Sequence, residues 1–171
     1  MKKLILCGMS CTGKTTAKKN LVDLGLKPGI SYTTRQMREG EQEGVDYRFI
    51  TREKFIDLIN DDFFFEHDDS LGECYGTSVE DFETCDVFIL TPKGISQLTE
   101  KGLRDRCIIV KLDLPIAKRI KRASDRGDET GKILKRISLD HVLFSSFDDK
   151  GVITIESDGT EVEKIMEIIK E

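Results

Sequence analysis

Gly8, Gly13, Lys14 and Thr15 stand at the fixed positions of the pattern G-x-x-x-x-G-K-[ST], within the stretch GMSCTGKTT. The chemistry of that spacing is phosphate binding. Glycines at both ends permit backbone angles that a Cβ disfavours. The loop N–H groups then converge on an anion, helped by the positive end of the following helix. Lys14 is long enough to reach β- and γ-phosphates, and the Thr15 hydroxyl is suited to Mg²⁺. Gly8, Ser10, Cys11, Thr12, Gly13, Lys14, Thr15 and Thr16 are therefore expected to line an ATP or GTP site. A chance glycine turn is the bland alternative. It is disfavoured because an apolar run, Leu4–Cys7, precedes the loop and a helical stretch, Thr15–Leu24, follows it. Cys11 sits inside this loop. Lowering of its thiol pKa by nearby N–H groups and Lys14 would make it oxidisable, and an inert filler is the simpler reading.

A second group with phosphate chemistry lies in SYTTRQMREGEQEGVDYRF, residues 31–49. Arg35 and Arg38 carry planar guanidinium groups that bind phosphate in bidentate fashion. Tyr47 and Tyr75 bring hydroxyl donors and ring faces. Glu66 follows the apolar run Phe63–Phe65, where a carboxylate can accept N–H bonds from a base edge. Taken singly, each has an ordinary reading as a surface arginine, a packing tyrosine or a solvated turn acid. The cluster Lys118–Arg122 reads as a solvated helix face. His67 and His141 have no partners at metal-ligand spacing.

These residues need a frame. Apolar runs at Leu4–Cys7, Val87–Thr91, Cys107–Leu112 and Val152–Glu156 read as strands. Helices are expected at Thr15–Leu24, Arg52–Asn60 with Thr51 as N-cap, Lys93–Glu100, Pro115–Arg126, Lys132–Leu143 and Thr160–Lys170. Strands alternating with helices imply a parallel sheet covered on both faces, with ligands at the strands' C-terminal ends. Residues 31–75 break the alternation, with short strands only at Thr33–Thr34 and Tyr47–Ile50, and read as an insertion beside the phosphate loop.

The chain has 171 residues, suited to one domain, and a net charge of −5. That charge gives no general attraction to nucleic acid. No apolar run reaches membrane-spanning length. The cysteines at 7, 11, 74, 85 and 107 form no C-x-x-C and read as reduced, which suits a cytoplasmic protein.

The blocks S-Y-T-T-R-Q-M-R-E-G-E-Q-E-G-V-D-Y-R-F, E-H-D-D-S-L-G-E-C-Y-G-T-S and R-I-K-R-A-S-D-R-G-D-E-T resemble the guanylate kinase family, among the nucleoside monophosphate kinases. The match weakens after about Leu139. The resemblance implies a three-layer α/β P-loop NTPase fold as a single domain. Its core would be residues 1–30 and 82–171, with a nucleoside-monophosphate-binding insertion at about 31–81 and a mobile lid at about 122–136. It implies phosphoryl transfer from ATP, with Mg²⁺, to GMP or dGMP. By the same resemblance Ser31, Arg35, Arg38, Tyr47 and Tyr75 hold the acceptor phosphate and its surroundings. Glu66 and Thr77 read the guanine. Arg122, Arg126 and Arg136 close over the transferring group. Catalysis would then rest on Lys14, Arg35, Arg122, Arg126 and Arg136, and the metal contact on Thr15. The chain departs from the family at Ile89 and Thr91, where a D-x-D-like pair is usual, with Glu41 or Asp86 as conceivable substitutes. A kinase of another nucleotide or of a phosphorylated sugar, or a non-catalytic binding module, stays open at this point. So do the oligomeric state and the ribose preference.

Overall fold

The computed structural model describes residues 2–69 and 72–170. Its central sheet is parallel, in the order β6-β1-β7-β8, with β1 Lys3–Cys7, β6 Val87–Ile89, β7 Cys107–Asp113 and β8 Val152–Glu156. The period-2 alternation of a strand divides β1 between two cores. Ile5 and Cys7 face a cluster with Phe82, Phe88, Ile95 and Leu98. Leu4 and Leu6 face a cluster with Ala17, Leu21, Ile155 and Ile165. These clusters are the contacts of α3 Val79–Thr84 and α4 Pro92–Glu100 on one side, and of α1 Lys14–Asp23 and α7 Glu161–Ile168 on the other. Both faces of the sheet are thus covered over β6, β1 and β7, which is why those strands are mostly apolar, while β8 at the edge buries only Ile155. Burying each such Leu or Ile contributes about 1.5–3 kcal/mol.

A second sheet, order β3-β2-β5-β4, gathers β2 Tyr32–Thr33, β3 Arg48–Phe49, β4 Phe64–Asp68 and β5 Tyr75–Ser78. It packs on α2 Arg52–Asn60 through Phe55, Phe64 and Cys74. The Thr51 hydroxyl caps α2 by accepting from the Lys54 N–H. The antiparallel pair β4–β5 and helix α3 are absent from the sequence expectation. Polar residues at Glu66, Asp68, Thr77 and Ser78 hide those strands: Glu66 and Thr77 sit side by side on one face, and the Ser78 hydroxyl caps α3 by accepting from the Asp81 N–H.

Two helices complete the chain between β7 and β8: α5 Ile116–Asp125 and α6 Thr130–Ser145. The latter starts two residues before the expected Lys132 and ends two after Leu143. Strand β6 ends at Ile89 rather than Thr91, because Thr91 is the N-cap of α4 and its hydroxyl accepts from the Gly94 N–H at 3.2 Å. All the cysteines are free thiols. Among the described residues no helix is long and apolar enough to cross a membrane.

Candidate functional site

Strand β1 delivers the chain to the loop 8–13, and α1 leaves from it. Gly8 has φ 139°, and a Cβ there would collide with the Leu112 carbonyl oxygen. Gly13 has φ 96° and is the residue before the helix. Both positions demand glycine, one for close approach and one for conformation. Thr12 is fully buried and its hydroxyl donates to the Met9 carbonyl at 2.9 Å, closing the loop on itself. Lys14 curls back over the loop: its Nζ donates to the Gly8 and Met9 carbonyls at 2.7 and 2.8 Å. Burial pushes its pKa down, and the nearby Asp140 charge acts in the opposite sense.

Cys11, Gly13, Lys14, Thr15, Thr16, Arg122, Arg126 and Glu161 line a cleft over this loop. Arg122 Nη1 lies 3.4 Å from the Cys11 carbonyl and 3.5 Å from the Ser157 hydroxyl. Arg126 Nη2 lies 3.7 Å from the Cys11 sulfur and also donates to Asp128. Arg136 Nη1 donates to the same Asp128 carboxylate at 3.0 Å. The hydrogen bond from Arg126 holds the Asp128 carboxyl below its ordinary range against the effect of burial, and the charges of Arg126 and Arg136 act in the same downward sense. Residues from α5, the α5–α6 turn and α6 thus bring the expected lid arginines to the mouth of the loop. Gly8, Ser10 and Thr12 lie in the loop but do not line the cleft. Ser10 turns both its donors away, to Asp140 of α6.

The residues expected on the acceptor side assemble around the second sheet. In β4–β5 Glu66 pairs with Thr77 and Asp68 with Tyr75, so these side chains share one face. Glu66 is 4% exposed, and burial pushes its pKa up to about 7 against the hydrogen bond from Thr77. A Cβ on Gly94 would collide with its carboxylate, so glycine at the first turn of α4 leaves that space to Glu66. Thr77 is fully buried, 3.2 Å from the Ser31 hydroxyl. Arg35 is 7% exposed and its Nη2 forks onto Glu41 at 2.7 and 3.0 Å. Its guanidinium carbon stands 5.3 Å from the Tyr47 ring centre, and Tyr47 meets Tyr75 edge to face at 5.9 Å. Burial pushes the Tyr75 phenol up to about 12 and the Tyr47 phenol up as well, so both remain O–H donors at neutral pH. Glu41 also accepts from the Arg38 N–H at 2.8 Å, so one carboxylate orders the segment carrying both arginines.

Arg38 is exposed on the segment that Glu41 orders. Partial desolvation of its guanidinium lowers its pKa first, and the next largest cause is the positive charge of Arg136, followed by that of Arg35.

Sequence reading missed Arg119 and Asp140. Arg119 belongs to the cluster expected to be a solvated face, yet it is 4% exposed and ion-paired to Asp140 at 3.1 Å. Its place on α5 at helical spacing from Ala123, also buried, was the available signal. The residues at the family's usual acidic pair supply no carboxylate: Ile89 ends β6, and Thr91 spends its hydroxyl on the cap of α4. Asp86, one of the two conceivable substitutes, accepts from the Lys27 N–H at the opposite end of β6.

The family model for guanylate kinase matches residues 1–171. The structure is also similar to the crystal structure of guanylate kinase from Anaplasma phagocytophilum, with a TM-score of 0.74 and 21% sequence identity, over 99% of this chain and 84% of that one. At that identity the structural likeness establishes the α/β fold, and the family model, matching end to end, establishes the family. Matched over its whole length by that model, the chain belongs to the guanylate kinase family.

Proposed function

We propose that this chain transfers the γ-phosphoryl group of ATP to the phosphate of GMP or dGMP, giving GDP or dGDP, by bringing two anions between two sets of cations. The observation that carries the reading is the cleft over the loop 8–13, which Lys14, Arg122 and Arg126 line together. Like charges held together in a folded protein are unfavourable until an anion comes between them. A donor phosphate on the loop side and an acceptor phosphate on the tyrosine side supply that anion.

In this reading ATP phosphates lie on the loop N–H groups and α1, and Lys14 leaves the Gly8 and Met9 carbonyls to follow the γ-phosphoryl. Arg35 and Arg38, with the Ser31, Tyr47 and Tyr75 hydroxyls, fix the acceptor phosphate in line. Glu66 in its ionised form accepts the N–H groups of the guanine edge, and the Thr77 hydroxyl lies beside it. Arg122, Arg126 and Arg136, on the lid at about 122–136, stabilise the charge of the transition state and exclude water. The exposed Thr15 hydroxyl at the start of α1 is a hard oxygen donor on the cleft wall, which fits Mg²⁺. Bound there with ATP, that ion would neutralise charge on the β- and γ-phosphates. No general base is required, since the acceptor phosphate is already an anion.

The test is a split in kinetic parameters. Arg38→Ala raises KM for GMP while leaving KM for ATP near the wild-type value. Arg136→Ala lowers kcat by about a hundredfold, the range seen for loss of one preorganised donor. Wild-type parameters in both variants contradict the reading.

A further inference from the structure

Arg119 of α5 and Asp140 of α6 form an ion pair with side chains 5% and 10% exposed. Neither has a part in the chemistry above. A buried pair of this kind contributes little net stability, and apolar residues of similar volume fill such a place at least as well. Its use must lie in what else the pair touches. Asp140 Oδ2 accepts from the Ser10 N–H at 2.8 Å, and Oδ1 accepts from the Ser10 hydroxyl at 3.0 Å. Ser10 is the residue of the phosphate loop just before Cys11, which holds φ 64°, a conformation a side chain with Cβ adopts reluctantly. The two bonds therefore fix the loop arm beside its least favourable backbone angle. They are charge-assisted, and such bonds are about twice as strong as neutral ones. Asp140 also lies one helical turn after Arg136, on the same face of α6. Among the charges acting on Lys14, that of Asp140 is the largest.

We propose that Asp140 is a positioning residue for the donor nucleotide, fixing the phosphate loop through Ser10 while Arg119 aims its carboxylate. The inference rests on the reading of this loop as the ATP site. Ser10 then serves the loop's shape instead of contacting the nucleotide. The loop and the helix that carries Arg136 share one anchor, so a displaced α6 loosens the ATP site as well as the lid.

The experiment compares wild type, Asp140→Ala, Ser10→Ala and the double variant Arg119→Leu/Asp140→Ala. ATP affinity is read by equilibrium titration, KM is measured for ATP and GMP separately, and thermal unfolding is followed in each protein. Asp140→Ala leaves Arg119 buried without its partner and lowers Tm. The double variant removes both charges and recovers Tm. ATP affinity falls about tenfold in both, the loss expected for bonds to a charged group, with KM for GMP within about twofold of wild type. Ser10→Ala removes only the hydroxyl bond and weakens ATP binding less. A double variant that regains Tm and binds ATP like wild type overturns the proposal and makes the pair purely structural. Wild-type ATP affinity in Ser10→Ala and in every folded Asp140 variant overturns it equally. Wild-type protein that fails to bind ATP overturns the ATP reading of the loop, and the proposal with it.

Discussion

Glu66 shows how one residue can link pH, stability and substrate choice. Its carboxyl is moved by burial from an ordinary 4.5 to about 7, although the Thr77 hydrogen bond opposes the shift. Guanine presents N–H donors, so binding requires the ionised acid. KM for GMP should then fall about tenfold between pH 6 and pH 8, as the ionised fraction rises through the pKa. Glu66→Gln should flatten that dependence, leaving only the titration of the GMP phosphate itself, and the ratio of the two profiles is the measurement. Stability moves in the opposite sense. Because the folded-state pKa is raised, the native protein holds a proton between pH 4.5 and 7 that the unfolded chain has lost. Stability therefore declines as pH rises through that window, by up to about 3 kcal/mol. Denaturant unfolding of Glu66→Gln at pH 8 should show it more stable than wild type, and equal or lower stability would contradict the account. Lys14 is the other decisive residue. Lys14→Ala should lower the rate of transfer by about a thousandfold or more in a coupled assay with the fold intact, the scale of a lost electrostatic anchor.

Helix α4 is where the elements explain what single residues do not. Its cap, Thr91, takes the place of a carboxylate usual in the family, and the hydroxyl is committed to the Gly94 N–H. Thr91→Ala should cost about 1 kcal/mol in denaturant unfolding, the value of an N-cap, without changing selectivity among nucleotides. Gly94→Ala should act on function instead. The added methyl pushes against the Glu66 carboxylate, so KM for GMP should rise while KM for ATP holds. These elements also mark what sequence could yield. The phosphate loop and the strands β1 and β7 were legible, because loop spacing and strand burial leave direct patterns, and β8 was legible from its β-branched run although only Ile155 is buried. Strands β4 and β5 were not, because their inward face is Glu66, Asp68, Tyr75 and Thr77, whose alternation is polar against apolar Phe64 and Cys74. Arg35, Arg38, Tyr47, Tyr75 and Glu66 were singled out by residue type, their roles came from family resemblance, and Ser31 and Thr77 were reached by that resemblance alone. Asp140 and Arg119 were reached by neither route, since charged residues on amphipathic helices read as solvated until the packing shows them buried.

On the scale of the molecule, the parallel sheet holds the phosphate loop at the ends of its strands, the second sheet holds the residues proposed to bind the acceptor, and α5 and the turn after it bring Arg122 and Arg126 to the cleft. Beside the cleft, Asp128 accepts from both Arg126 and Arg136 and holds the two arginines together. ATP and GMP together should draw residues 122–136 onto the phosphates. Limited trypsin digestion at the arginines and lysines of that stretch should slow when both are present, and much less with either alone. Equal protection by ATP alone would place closure before acceptor binding. The central claim is the acceptor, and it is tested most directly by product formation from ATP and Mg²⁺ with GMP, dGMP, AMP, CMP, UMP, dTMP and ribose 5-phosphate in parallel. The account predicts conversion of GMP and dGMP well above the rest, showing that Glu66 and Thr77 suffice without carboxylates at 89 and 91. Preference for any other acceptor would contradict it.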